Sequence, residues 1–381
     1  MAVVTRILLV PFHPPGHTEP MAALAAQLRA QGHEVAAFAE SPAGRWRLGG
    51  PLPAALVASA DGGTLFRHLF LGDVEDMTRD IADQARAHRA DLIVADVMMP
   101  GGGLAARLLG LPWVSLCCSP VPEPDAYRHF IPDHAVDAFA PHATLEALGL
   151  PDDGHNLLGR LSPWLHLIPT TPGFAGVAEL PGPVELVGPL APTGSAPRPR
   201  TPMENPTVVV SASTAAASTL AGAARSQDRY LAAVAEALGG LAVTGLVTHP
   251  AGGIEAPANV RFLGPTPHDA LFDQAAAVVT HAGWGTVSRA LVRGLPLVLV
   301  PIANDQHYIA DRCAELGFGI ALPAERVTAA DLRAAIRAVL EEPGYRAAAA
   351  GFAAESRAAA PLPTAAALIS STHALAAVRK G

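Results

Sequence analysis

Three stretches of this sequence combine residue types and spacings that can do chemistry. In Val278-Val-Thr-His-Ala-Gly-Trp-Gly-Thr-Val-Ser-Arg289 a short apolar run enters the turn His281-Ala-Gly-Trp-Gly-Thr286, which opens a helix. The first N–H groups of a helix lack intrahelical partners and sit at the positive end of its dipole, so this turn suits a phosphate. Gly283 and Gly285 let an anion come close to the backbone. The spacing is neither the dinucleotide fingerprint nor a Walker P-loop, and a ligand-free Gly-rich turn has the same appearance. Asn304-Asp305-Gln306, beyond the next apolar run, could bond substrate hydroxyls or simply cap a helix. In Pro11-Phe-His-Pro-Pro-Gly-His-Thr-Glu-Pro20, His17 stands at a helix start, where the dipole favours the neutral ring. A neutral imidazole can act as a base near neutral pH. Asp96, at the end of another apolar run, could accept from the other ring nitrogen and fix the tautomer. His13 competes for the role, and with 15 histidines in the chain a capping or surface His17 is the plainer alternative.

The elements that must position these residues alternate in type. The apolar runs Arg6–Phe12, Val35–Phe38, Asp91–Asp96 and Trp113–Cys117 read as strands, with helices at 20–30 and about 103–109 between them. Continuous apolar strands alternating with helices imply a parallel sheet covered on both faces. The stretch 188–206 is dense in Pro, Gly and Ser and carries no periodicity, which marks a linker. After it come strands at Thr207–Ser213, Leu241–Thr248, Val260–Leu263, Ala277–His281, Pro296–Pro301 and Gly319–Leu322. Helices fall at about 226–238, 268–275, 286–293, 305–316 and 329–341, the last with Thr328 and Asp331 placed as a capping box. The expected fold class is α/β: two Rossmann-like, doubly wound parallel-sheet domains. The expected limits are 1–190, a linker at 191–206, 207–359, and a C-terminal helix at 360–381 packing back on the first domain.

Composition narrows the partners. A chain of 381 residues with 50% apolar residues has material for two cores. The net charge of −8 argues against nucleic acid or an anionic membrane as partner. Gly (35) and Pro (36) are frequent but aperiodic, which excludes a collagen-like chain. Three cysteines, two of them adjacent, give neither a disulfide framework nor a Cys-x-x-Cys metal site. No apolar run approaches the length needed to span a bilayer, and no signal peptide is evident, so the expected location is the cytoplasm.

The His281-to-Thr286 turn, the Gly294-Leu-Pro strand, Asp305-Gln306 and Gly317-Phe-Gly319 together resemble the C-terminal signature of family 1 glycosyltransferases. Gly16-His17-x-x-Pro20 and Gly32-His33-Glu-Val35 resemble the N-terminal domain of the same family, and the match spans nearly the whole chain in order. The compact Ala/Pro-rich chain is most similar to bacterial members acting on polyketides and other natural products. The resemblance implies a GT-B fold, with acceptor bound by the N-terminal domain, nucleotide-sugar by the C-terminal domain and catalysis in the cleft. It implies His17 as general base and Asp96 as its partner. His281, Gly283, Gly285 and Thr286 would hold the diphosphate, with Trp284 in the same donor-binding turn and Ser213 near the phosphates. Asp305 and Gln306 would take sugar hydroxyls, and Thr266, Pro267 and His268 the nucleobase. The reaction implied is inverting. No Asp-x-Asp triplet occurs, so neither a metal nor any other cofactor is expected beside the nucleotide-sugar.

Two positions depart from the family pattern. Many relatives carry a ribose-binding Glu where this chain has Arg289, and Arg cannot accept hydrogen bonds. A donor with fewer pentose hydroxyls, such as a dTDP-linked deoxysugar, is therefore expected. The base-stacking aromatic is replaced by Pro265. On the acceptor side His13, Phe66, Phe70, Met77, Tyr127, Phe130 and Trp164 could line an apolar pocket for a small-molecule aglycone, or could be ordinary packing residues. A homodimer is compatible with this reading. A nucleotide-sugar epimerase sharing the phosphate turn and a non-catalytic glycosyltransferase-like partner protein are the competing functions.

Overall fold

In a computed structural model of the protein, the residues described are 4–12, 15–38, 74–122, 142–152, 161–177, 179–191, 205–212, 221–250, 253–264, 266–302 and 305–380. The chain divides into two compact units, Met1–Leu190 with Ala360–Gly381, and Ala191–Ala359.

The first unit runs β1 (Arg6–Val10), α1 (Pro15–Ala30), β2 (Glu34–Ala37), α2 (Val74–His88), β3 (Leu92–Asp96), α3 (Pro100–Leu109), β4 (Trp113–Leu116), α4 (His142–Leu148), β5 (His166–Ile168), α5 (Pro172–Ala175) and β6 (Val184–Leu186). Its six strands are all parallel, in the order β2-β1-β3-β4-β5-β6. Every residue of β3 and β4 is buried, as a sheet covered on both faces requires. The strand order reverses between β1 and β3, where Val10 pairs with Ala95.

The second unit runs β7 (Thr207–Ser211), α6 (Ala221–Gly239), β8 (Thr244–Val247), β9 (Val260–Phe262), α7 (His268–Phe272), β10 (Ala277–Thr280), α8 (Trp284–Leu291), β11 (Leu297–Leu299), α9 (Gln306–Glu315), β12 (Gly319–Ala321), α10 (Ala329–Glu341) and α11 (Pro343–Ala359). Its sheet has the order β12-β11-β10-β7-β8-β9. Numbered from β7, that is the dinucleotide-binding order, and it reverses between β7 and β10. The last helix, α12 (Pro361–Lys380), returns to the first unit. There Ala365, Ala366 and Ile369 share a core with Leu24 and Leu28 of α1.

Two α/β units with parallel six-stranded sheets agree with the sequence reading, and differences are local. The first helix starts at Pro15, five residues ahead of the expected start, and keeps Pro20 inside it. Burial of Met21, Leu24, Ala25 and Leu28 outweighs the hydrogen bond lost at Pro20. Strands β5 and β6 have no counterpart in the sequence reading, because buried His166 interrupts the apolar run that would have marked β5. Its Nδ1 lies 2.8 Å from Ser115 Oγ on β4, which satisfies it inside the sheet. The Thr328 capping box forms as expected, with Thr328 Oγ1 accepting from the Asp331 N–H and the Asp331 carboxylate accepting from the Thr328 N–H.

Candidate active site

In the first unit the chemistry gathers at the carboxyl edge of the sheet where the strand order reverses. α1 follows β1 and carries His17 in its first turn, and Asp96 ends the adjacent β3. The His17 Nδ1 to Asp96 Oδ2 distance is 2.8 Å. Asp96 is buried at 1% exposure, and its other oxygen accepts from the Met98 N–H at 2.8 Å. The Cys118 thiol donates to Oδ2 at 3.2 Å. A buried carboxylate facing Nδ1 keeps the proton on that nitrogen and leaves Nε2 with its lone pair. Phe12 packs edge-on against the ring, with centroids 5.0 Å apart. The tight start of α3 supports the strand end: a Cβ on Gly102 would lie 2.4 Å from that of Ala95, so only glycine lets the helix sit so close.

Cys118 is the contact that sequence reading missed. Its only signal there was its place just after β4, next to the strand that carries Asp96. Met77, offered as a pocket residue, is fully buried in the core against Gly101 and belongs to the packing of α2 on the sheet. Trp164 is half-buried against the same core. His13, Phe66, Phe70, Tyr127 and Phe130 lie outside the described residues.

The second unit repeats the arrangement. Ser211 ends β7, Thr280 ends β10, and the two are register partners at the reversal of strand order. The turn then runs through His281, Ala282 and Gly283 into α8. Ala282 takes a left-handed φ of 67°, uncommon for a residue with a side chain, and its N–H donates to Thr280 Oγ1. A Cβ on Gly283 would stand 2.5 Å from His281 Nε2, so the missing side chain is what lets the His281 ring lie under the turn. Thr286 Oγ1 is 3.3 Å from Ser211 Oγ. Ser213, expected here, lies outside the described residues, and β7 ends at Ser211. Trp284 opens α8, and its side chain is buried edge-on against Phe352 of α11.

Next along this edge, Asp305 occupies the N-cap position of α9 without a capping bond from its side chain. Gln306 is buried, and its Oε1 accepts from the Ile302 N–H at 2.9 Å. On α7, His268 stacks on Phe272 and lies 3.1 Å from Thr248 Oγ1. Thr266 Oγ1 is 3.2 Å from the Gly264 carbonyl oxygen. Arg289 proves to be one arm of a network: its Nη1 meets Asp269 at 3.2 Å, while Arg293 bonds both Asp269 and Asp273 at 2.9 Å.

Burial holds three histidines neutral, pushing His281, His268 and His166 each down to about 4 from 6.5. The unfolded chain binds protons there that the fold refuses, so stability is complete above the unfolded value and declines as pH falls from 6.5 towards 4. At about pH 5 the loss is roughly 2 kcal/mol for each of the well-buried His166 and His281. Thermal unfolding at about pH 7.5 and about pH 5 should differ by at least ~4 °C; equal Tm values would contradict this account.

Each unit thus has its polar residues where open α/β sheets bind ligands, at a switch point beyond the carboxyl ends of the strands. Two such sheets in one chain are the GT-B architecture. Residues 231–371 match the Erythromycin biosynthesis protein CIII-like C-terminal domain family. The chain is 26% identical to 4'-demethylrebeccamycin synthase of Lentzea aerocolonigenes, over 90% of this chain and 93% of that protein. It is 42% identical to 3-alpha-mycarosylerythronolide B desosaminyl transferase of Saccharopolyspora erythraea, over 25% of this chain and 22% of that protein. Among solved structures, the glycotransferase of kitacinnamycin superposes with a TM-score of 0.76 at 24% identity, covering 98% of this chain and 100% of that one. Glycosyltransferase VinC in complex with dTDP gives 0.67 at 22% identity, covering 97% and 99%. The chain is a glycosyltransferase with the GT-B fold, similar over most of its length to a bacterial natural-product relative and over residues 231–371 to the erythromycin CIII-like C-terminal domain family. Among the described residues no helix is long and apolar enough to cross a membrane.

Proposed function

We propose that this glycosyltransferase inverts the anomeric centre, needs no metal ion, and moves a sugar from a nucleoside diphosphate to a hydroxyl of a natural-product aglycone, with His17 as general base. The observation that carries the reading is the 2.8 Å contact between His17 Nδ1 and buried Asp96. It leaves Nε2 to take the acceptor proton while the acceptor oxygen attacks the anomeric carbon from the face opposite the diphosphate. The new C–O bond forms as the bond to phosphate breaks, and the electron pair leaves with the diphosphate. The proton ends on His17, whose positive ring Asp96 stabilises.

On the donor side, the N-terminus of α8 with Thr286 and Ser211 suits the diphosphate. Among the described residues His281 Nδ1 is buried without a hydrogen-bond partner, as fits an atom kept for a ligand. Asp305 and Gln306 stand one crossover away, where sugar hydroxyls would lie. Arg289, tied to Asp269, offers the pentose no acceptor, which favours dTDP over UDP. VinC was solved with dTDP, and the desosaminyl transferase is named for a deoxysugar.

The reading is tested by mass spectrometry of the protein with dTDP- and UDP-sugars against a panel of aglycones, followed by the anomeric configuration of the product. Transfer with inversion, unaffected by EDTA, is expected. A sugar altered in the presence of donor alone would instead make the protein an epimerase. Calorimetry should show dTDP bound more tightly than UDP; markedly tighter UDP would sink the donor assignment.

A further inference from the structure

The N-terminal site contains a third heteroatom that base catalysis does not require. His17 Nδ1, the Asp96 carboxylate and Cys118 Sγ lie within 4.8 Å of one another, brought together by α1, the end of β3 and the segment after β4. Asp96 and Cys118 are buried, and the His17 side chain, 26% exposed, leaves a way in. We propose that this cluster is a binding site for a thiophilic divalent cation, zinc in the first instance, and that its occupation switches off transfer. The binding claim stands on geometry alone; the switching claim rests on His17 being the base.

Imidazole nitrogen, carboxylate oxygen and thiolate sulfur are all zinc ligands, and three protein ligands leave a fourth position for water. At the usual zinc–ligand lengths, tetrahedral geometry sets these atoms about 3.3–3.6 Å apart. Here Nδ1 and Sγ stand 2.8 and 3.2 Å from Asp96 Oδ2, so small outward shifts admit the ion. The ion replaces two protons that now bridge to the same oxygen. Cys118 releases its thiol proton to solvent. The His17 ring proton moves from Nδ1 to Nε2, so that the Nδ1 lone pair binds the metal. Net, one proton leaves for each ion bound. Nε2 then carries a proton and can accept none from the sugar acceptor.

Cobalt(II) is the probe for the full-length protein. The expected result is a thiolate-to-cobalt charge-transfer absorption saturating at one equivalent, displaced by zinc, with one proton released. Cys118→Ser should abolish the band, while Cys117→Ser and Cys313→Ser should retain it. Zinc should lower the rate of transfer from a dTDP-sugar at least ~10-fold, reversibly with EDTA. Cys118→Ser, measured against its own metal-free rate, should need at least ~10-fold more zinc for the same effect. No Cys118-dependent band at millimolar cobalt, with circular dichroism showing the variants folded, overturns the site and leaves a plain hydrogen-bond network. A band without inhibition supports the site and overturns both the switch and the assignment of His17 as base.

Discussion

Replacing His17 with alanine lowers the rate of sugar transfer by about 10²–10⁴-fold, the usual worth of a positioned general base. The loss falls on kcat, because the group acts on a proton that moves only in the transition state. Nucleotide affinity stays unchanged: His17 belongs to the first unit, and the His281–Thr286 turn proposed to bind phosphate belongs to the second. Asp96→Asn should show a related defect by another route. Its amide can donate to Nδ1 and so put the proton on Nε2, the wrong tautomer for a base. Steady-state kinetics with calorimetry of nucleotide binding checks both. Transfer by His17→Ala at the wild-type rate would remove the residue from the mechanism. A parallel loss of nucleotide binding would point to misfolding instead.

Gly319→Ala costs several kcal/mol of stability, about 3–5, without touching any ligand. Gly319 opens β12, which pairs with β11, and a Cβ there would lie 2.0 Å from the Leu297 carbonyl oxygen and 2.7 Å from its carbon. Those are backbone atoms of the neighbouring strand, hydrogen-bonded into the sheet, and they cannot turn aside as a side chain could. The expected fall in Tm is roughly 10 °C. Gly344→Ala is the control: in α11 its added methyl meets nothing within 4 Å, so the change should be neutral or slightly stabilising. A Gly319→Ala protein as stable as wild type would contradict the close approach of the two strands. The prediction also divides the family signature. Gly317, at φ 71°, and Gly319 serve the turn and the sheet, whereas His281 and Thr286 are the residues proposed to meet the donor.

The limits of sequence reading show in single residues. The apolar run before His281 and the glycines after it are consecutive, so the Gly-rich strand-to-helix turn is legible directly. Ser211 was missed because nothing local marks where β7 stops, and its tie to Thr286 spans 75 residues. Trp284 stands inside the motif, and only the tertiary structure shows that its ring packs against Phe352 of α11. Arg289 looked like a lost acceptor, and only the packing of α7 on α8 shows that it engages Asp269. The partnership of His17 with Asp96 could be suggested because both follow strands. The sequence does not say that β1 and β3 are neighbours.

By itself, then, the sequence determined the alternation of buried strands and helices, the two-unit plan and the Gly-rich turn from His281 to Thr286. All of these are written in periodicities and motifs a few residues to a few turns long. The tertiary structure alone decided which strand ends meet: His17 with Asp96 and Cys118, and Ser211 with Thr286. The physical reason is that strand order arises from the packing of whole elements, and a parallel sheet brings chemistry together only where that order reverses.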